Sequence, residues 1–129
     1  MTQNLQIYKC GVCGNMVEVV HASGGQLVCC GQPMNLMPEQ TAEYKIEKHV
    51  PYPTQTENGT KVVVGESVLH PMVDTHYIEW IEIENGSYVN RKYLKPGDAP
   101  SAEFYVPLQK GMIVREFCNV HGLWKFEVK

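Results

Sequence analysis

The second two-thirds of the chain alternates between short runs of β-branched and aromatic residues and clusters of turn residues. The longest run, residues 76–83, reads His-Tyr-Ile-Glu-Trp-Ile-Glu-Ile, and Asn85-Gly86 turns it into a second run at residues 87–94. Asn58-Gly59, a dipeptide typical of short hairpins, precedes a third run at residues 61–64. Further runs lie at residues 104–106, 112–118 and 123–128, and no segment shows helical periodicity. About seven strands with turns between them predict an all-β domain, a β-sandwich of the immunoglobulin type.

The first 37 residues follow a different pattern, which is organised by cysteines. Cys10 and Cys13 form a Cys-x-x-Cys pair flanked by glycines, and Cys29 and Cys30 are adjacent. A short strand at residues 16–20 and the turn that follows would return the second pair to the first. Four thiolates around one ion select zinc or iron, and the spacing alone leaves these two metals open. The alternative to a redox centre is a zinc site that only stabilises a module too small to have much core.

Adjacent cysteines are a departure from an ordinary zinc ribbon, which uses Cys-x-x-Cys twice. Cys29 and Cys30 must point to opposite sides of the chain, so we expect a distorted tetrahedron. Two domains are therefore predicted: a small metal domain at residues 1–37 and a β-sandwich at residues 38–129.

Composition and charge narrow the classes of function. The chain has 129 residues, is 43% hydrophobic and has a formal net charge of −3, so nucleic acid is not an expected partner. It begins without a signal-peptide pattern and contains no apolar run long enough to cross a bilayer, which predicts a cytoplasmic protein without a membrane segment. In a reducing compartment, an odd number of cysteines favours metal ligands over disulfides.

The second domain contains its own set of possible metal ligands. Four of the five histidines and the only cysteine outside the first module fall there: His49, His70, His76, Cys118 and His121. All five lie at predicted strand ends or in loops, where a rigid scaffold can position a site. Each residue alone has an ordinary interpretation, because a lone histidine is usually a surface or core residue and a lone cysteine a small apolar one. Together they indicate a mononuclear metal site, with Glu47 and Lys48 directly beside the first ligand.

Several stretches resemble a known family. Cys-x-x-Cys followed after fifteen residues by Cys-Cys is the desulforedoxin pattern, which holds a rubredoxin-like iron centre. The stretches that are similar to the superoxide reductase site of desulfoferrodoxins are Glu-Lys-His-Val-Pro at 47–51, His-Pro-Met at 70–72, His-Tyr-Ile-Glu-Trp at 76–80, Leu-Lys-Pro-Gly at 94–97, Cys-Asn-Val-His-Gly at 118–122, and Trp-Lys at 124–125. The resemblance covers essentially the whole chain and is to the two-iron class of superoxide reductases. One departure is Leu123, where relatives often have a histidine.

The resemblance implies a function and a set of roles. It implies an enzyme that reduces superoxide to hydrogen peroxide by one electron. The iron, cycling between Fe²⁺ and Fe³⁺, would have four histidines in a square plane and Cys118 as the axial thiolate. Glu47 would occupy the sixth position in the ferric form, and Lys48 would assist with the anion and its protons. The first centre would be Fe(Cys)4, with zinc as an alternative occupant, and would relay electrons or serve only as a structural staple. A rubredoxin-like donor and a homodimer are further implications.

Two other functions are compatible with parts of the sequence. An electron-transfer iron protein without its own substrate would have a closed second centre that ignores small anions. A β-sandwich stabilised by zinc and acting as an interaction module would be colourless and without redox activity. The four-histidine, one-cysteine set beside Glu47 and Lys48 counts against both.

Overall fold

The computed structural model describes residues 1–41, 49–65 and 68–129. Contacts divide the chain into two units, Met1–Pro38 and Glu39–Lys129, and the predicted boundary after residue 37 lies one residue from this division. The secondary structure of the described residues consists of strands and turns, which confirms the all-β prediction. Within these residues, no helix with the length and apolar character of a membrane span is present.

Short strands and tight turns make up the first unit. Its strands are β1 (Ile7–Lys9), β2 (Met16–Glu18), β3 (Val28–Cys29), β4 (Gln32–Pro33) and β5 (Asn35–Leu36). β1 lies between β2 and β5 in one antiparallel sheet, and β3 pairs with β4 in a small hairpin. Ile7 and Val19 are buried, but valines such as Val20 and Val28 remain exposed, so little apolar area stabilises this unit. A domain of this size needs covalent or metal cross-links in addition to its core.

Two antiparallel sheets form the second unit. Its strands are β6 (Pro51–Thr56), β7 (Gly59–Val64), β8 (Ile78–Glu84), β9 (Val89–Tyr93), β10 (Ser101–Phe104), β11 (Ile113–Cys118) and β12 (Gly122–Glu127). One sheet has the order β10-β7-β6 and the other β12-β11-β8-β9. Side chains from both sheets share one core, in which Val62 and Val64 of β7 meet Ile81 and Ile83 of β8 and Val114 of β11. The predicted β-sandwich is therefore confirmed.

A β-bulge lies where β8 and β11 approach the candidate site. Phe117 pairs with Trp80, but Cys118 pairs with Ile78, so Glu79 is the extra residue on β8. A bulge reverses the alternation of side chains along a strand. Ile78 accordingly joins the core with Ile81 instead of sharing the face of Trp80.

Three local predictions need correction. The strand expected at residues 104–106 lies earlier, as β10 (Ser101–Phe104). His76 was expected to open the long strand, but β8 begins at Ile78; His76 instead closes a tight turn, in which Val73 and His76 exchange backbone hydrogen bonds of 3.0 Å. The predicted hairpin at Asn58-Gly59 is present, but its second strand begins at Gly59 and not at residue 61. Gly59 pairs with Thr56 of β6. Gly59 is required there because a Cβ atom would lie 2.1 Å from the carbonyl oxygen of Phe104.

Candidate metal centres

The four cysteines of the first unit form one cluster. Their sulfur atoms all lie within 4.8 Å of one another, and the Sγ distances are 3.5 Å from Cys13 to Cys29 and 3.9 Å from Cys29 to Cys30. Sulfurs bound tetrahedrally to one ion through bonds of about 2.3 Å are about 3.8 Å apart. The spacing therefore fits a single ion. The predicted splay is achieved at Cys30, whose φ of 53° lies in the left-handed region that non-glycine residues rarely adopt.

Backbone N–H groups point at the sulfurs of the first pair. Val12 and Cys13 each donate to Cys10 Sγ at 3.4 Å, and Asn15 donates to Cys13 Sγ at 3.4 Å. The bonds from Cys13 and Val12 lower the pKa of Cys10 to about 6, because they favour the thiolate. The neighbouring sulfurs, Cys13 first, raise the pKa of Cys30 to about 12. A bound cation would favour the thiolate form of all four cysteines, because it offsets the negative charge that they share.

All five candidate ligands of the second unit also meet in one place. The donor atoms of His49, His70, His76, Cys118 and His121 lie within 4.8 Å of one another. His49 and Cys118 are fully buried and His70 is nearly so, whereas His76 and His121 are half-buried. Protein therefore encloses the cluster around His49, His70 and Cys118, and parts of the His76 and His121 side chains are exposed.

The four imidazole rings form a square. Going around it, the ring centroids are 4.9 Å apart from His49 to His70, 4.7 Å from His70 to His76, 5.0 Å from His76 to His121 and 4.6 Å from His121 to His49. The diagonal from His49 to His76 is 6.5 Å. The edges are nearly equal, and the diagonal is close to √2 times an edge, as in a square. Neighbouring rings are nearly perpendicular, with interplanar angles of 68° to 80°.

Distances between ring nitrogens also fit one ion at the centre of the square. His49 Nε2 lies 3.0 Å from His121 Nδ1. Two nitrogens bound at right angles through metal–nitrogen bonds of about 2.1 Å would be about 3.0 Å apart. His70 Nδ1 lies 2.7 Å from the carbonyl oxygen of Pro71, which can only accept, so Nδ1 carries the proton and Nε2 is left as the donor to a metal.

Cys118 contributes the thiolate from the end of β11. Its sulfur is 3.9 Å from His121 Nδ1 and accepts a hydrogen bond of 3.4 Å from the backbone N–H of His121. The Cys-x-x-His spacing thus allows both side chains to reach one ion from one tight loop. The N–H donor also offsets part of the negative charge on the buried sulfur.

Glycine at position 65 makes the approach of His70 possible. The backbone of His70 bonds to Val64 at 3.2 Å, which folds the chain back after β7. A Cβ atom at Gly65, whose φ is +91°, would lie 2.3 Å from Val68 O and 2.6 Å from His70 N. Any larger residue would push the His70 loop away from the cluster.

A second set of residues holds the ligands in place, and sequence reasoning assigned no role to most of it. Trp124 stacks on His49, with ring centroids 4.8 Å apart and planes 17° from parallel, and its Nε1 donates to the carbonyl oxygen of His121 at 3.2 Å. Gln40 Nε2 donates to the same oxygen at 2.8 Å. Glu39, the residue before Gln40, forms ion pairs with Arg115 and Lys125. Only the Trp-Lys pair at 124–125 was visible as a signal in the sequence, since Gln40 lies 81 residues from its partner.

Glu47 and Lys48, the residues expected to act on substrate and product, lie outside the described residues. The four cysteines of the first unit and the five ligands of the second are each brought together.

Fold and clusters together define a class, the non-haem metalloproteins with a four-cysteine module and a β-sandwich that carries a four-histidine, one-cysteine centre. Family models agree: "Desulfoferrodoxin, N-terminal domain" matches residues 2–37 and "Desulfoferrodoxin" matches residues 41–127. The chain belongs to the desulfoferrodoxin family.

Individual relatives cover the chain from end to end. A desulfoferrodoxin from Nitratidesulfovibrio vulgaris is 55% identical over 127 residues, which is 98% of this chain and 99% of the relative. A desulfoferrodoxin homolog from Archaeoglobus fulgidus is 56% identical over 125 residues, covering 97% and 98%. The crystal structure of the superoxide reductase from Treponema pallidum superimposes with a TM-score of 0.75 at 27% identity and covers 98% of this chain and 100% of that one.

Proposed function

We propose that this protein is a superoxide reductase, which adds one electron and two protons to superoxide and releases hydrogen peroxide. The observation that carries the proposal is the ring of four imidazoles around one point, with the buried Cys118 sulfur within the same 4.8 Å. The similarity in fold to the superoxide reductase of Treponema pallidum supports it.

His49, His70, His76, His121 and Cys118 would hold iron, because imidazole nitrogen and thiolate sulfur suit this metal. Bound there, iron supplies the single electron and an open position for a small anion. Neutral imidazoles add no charge, so one thiolate leaves a ferrous site with a net positive charge. That charge attracts superoxide to the site, where the His76 and His121 side chains are partly exposed.

Glu47 and Lys48 complete the proposed site by their place in the sequence, directly before His49. Lys48 raises the potential felt by the incoming anion and holds water that protonates the product. Glu47 would favour release of the product and would offer its carboxylate to the oxidised iron. The support for both roles is the Glu-Lys-His sequence together with membership of the family.

The first cluster, Cys10, Cys13, Cys29 and Cys30, is proposed to hold iron and to accept electrons from a rubredoxin-like donor. Exposure of Cys13 and Cys30 supports this role, because electron transfer between proteins needs an accessible centre. We further propose that the protein works in the cytoplasm as a homodimer. The free state of its five cysteines suits a reducing compartment, and edge strands of the described sheets, such as β9, could pair with a second copy.

Rapid mixing of the reduced, iron-loaded protein with superoxide tests the activity against the electron-carrier alternative. An open centre is oxidised by superoxide in a bimolecular step, and the oxidised form changes its absorption when azide or cyanide is added. A carrier with a closed centre would show neither the rapid oxidation nor the response to anions. Mixing with the same amount of hydrogen peroxide is the control for oxidation by contaminating product.

A further inference from the structure

Asn119 lies between two ligands, Cys118 and His121, but its side chain points to a third. Its Oδ1 accepts the backbone N–H of Tyr77 at 2.9 Å, and its Nδ2 donates to the carbonyl oxygen of Thr75 at 3.2 Å. These two backbone groups lie immediately before and after His76. The amide of Asn119 therefore binds the backbone on both sides of a ligand that is more than forty residues away in the sequence.

This contact begins where the regular ladder ends. Cys118 pairs with Ile78 in the last register position between β11 and β8, and beyond it Asn119 N donates to Tyr77 O at 3.2 Å. Beyond Ile78, the backbone pairing of β11 with β8 ends, and the hydrogen bonds of the Asn119 side chain connect the two segments as far as Thr75. The loop of His76 is thereby fixed to the loop of Cys118 and His121.

We propose that Asn119 is the positioning residue that sets His76 in the square of imidazoles. Two of the four edges of the square depend on His76, namely its distances of 4.7 Å to His70 and 5.0 Å to His121. Rotation of the backbone at His76 would open both edges. The role depends on the proposed function for the reaction that it serves, but its test does not require that reaction.

Asparagine meets the chemical requirement because one amide offers a donor and an acceptor side by side. Aspartate offers acceptors alone and would face the carbonyl oxygen of Thr75 without a proton. Alanine makes neither bond. Asn119→Asp should therefore retain the bond to Tyr77 and lose the other, and Asn119→Ala should lose both.

Ferrous ion is the probe, and transfer of iron from the full-length protein to a chelator under anaerobic conditions is the measurement. Residues that orient metal ligands typically change affinity by about 10–100-fold when mutated, and we expect a loss in this range for Asn119→Ala. Asn119→Asp should give a smaller loss. In both variants, the thiolate-to-iron absorption band of the oxidised protein should move, because the ligand field of the four imidazoles at the iron changes.

Asn85→Ala is the matched control. Asn85 Oδ1 also accepts two backbone N–H groups, from Ser87 at 3.0 Å and Tyr88 at 3.1 Å, but in the turn at the opposite end of β8. This variant should melt at a lower temperature without a change in iron affinity or in the absorption band. A merely structural role for Asn119 would give the same result in its variants.

Each outcome decides the proposal. Weaker iron binding and a shifted band in Asn119→Asp support it, even if Asn119→Ala does not fold. Unchanged iron binding and an unchanged band in a folded Asn119 variant overturn it. A wild-type protein that binds iron tightly but does not react with superoxide would defeat the proposed function and leave this result valid.

Discussion

His49 and His76 face each other across the cluster, with ring centroids 6.5 Å apart and planes 29° from parallel. They reach these positions from different elements, because His49 lies two residues before β6 and His76 lies in the turn before β8. His49 is packed beneath Trp124, whereas His76 is half-buried and held by its backbone. Within the square, His49 is therefore positioned by packing of its ring, and His76 is positioned by hydrogen bonds of the backbone around it.

Trp124→Phe tests the hydrogen bond made by the tryptophan that packs on His49. Phenylalanine retains an aromatic ring over His49 but loses the hydrogen bond from Trp124 Nε1 to the carbonyl oxygen of His121. We expect iron affinity to fall by about tenfold, the low end for residues that orient ligands, as measured by anaerobic chelator competition. Trp80→Phe is the control, because Trp80 is also buried but stacks on Phe117. Equal losses in the two variants would contradict the role of Trp124.

Lys48→Ile tests the proposed attraction of the substrate. The variant should bind iron normally and react more slowly with superoxide, and the difference should shrink as salt screens the charge. Lys110→Ile removes the same charge from an exposed residue before β11, at the opposite end of that strand from Cys118. Its bimolecular rate should match that of the wild type. A normal rate for Lys48→Ile at low ionic strength would remove Lys48 from the mechanism.

Cys30→Ser distinguishes the role of the first metal centre from that of the second. The variant should lose the absorption of an Fe(Cys)4 centre, while the reaction of chemically reduced protein with superoxide keeps its rate, because the electron is already at the second centre. Re-reduction by a rubredoxin-like donor should become slower if the first centre relays electrons. Equal rates of re-reduction in variant and wild type would make the first centre a structural staple.

Asp98 predicts how the stability of the fold depends on pH. The backbone N–H of Lys95 donates to its carboxylate at 3.0 Å and, with the Lys95 side chain, holds the pKa of Asp98 below its usual value. Because the pKa is lower in the folded state, ionised Asp98 stabilises the fold at every pH above the unfolded-state pKa. This stabilisation is lost as the pH falls through the folded-state pKa. Wild type should therefore be more stable than Asp98→Asn at neutral pH in urea unfolding. A difference that stays constant as the pH falls through the folded-state pKa would exclude this explanation.

The sequence predicted the all-β fold because strands and turns carry local signals, such as the alternating run of β8 and the Asn-Gly pairs. The cysteine spacing and the family motifs predicted the residues that meet in each cluster. The bulge at Glu79 and the turn that contains His76 had no local signal, since both depend on the register with β11. The bonds of Gln40 and Asn119 to residues on distant loops also had none, because they exist only once the sheets have formed.

The central claim is tested most directly by the products of the reaction with superoxide. Reduced, iron-loaded protein is mixed with a known amount of superoxide, and hydrogen peroxide, molecular oxygen and oxidised iron are measured. The account predicts one hydrogen peroxide for each second-site iron oxidised, with no release of oxygen. Oxygen formed together with peroxide would indicate a dismutase, and superoxide that decays only at its spontaneous rate would contradict the proposed function.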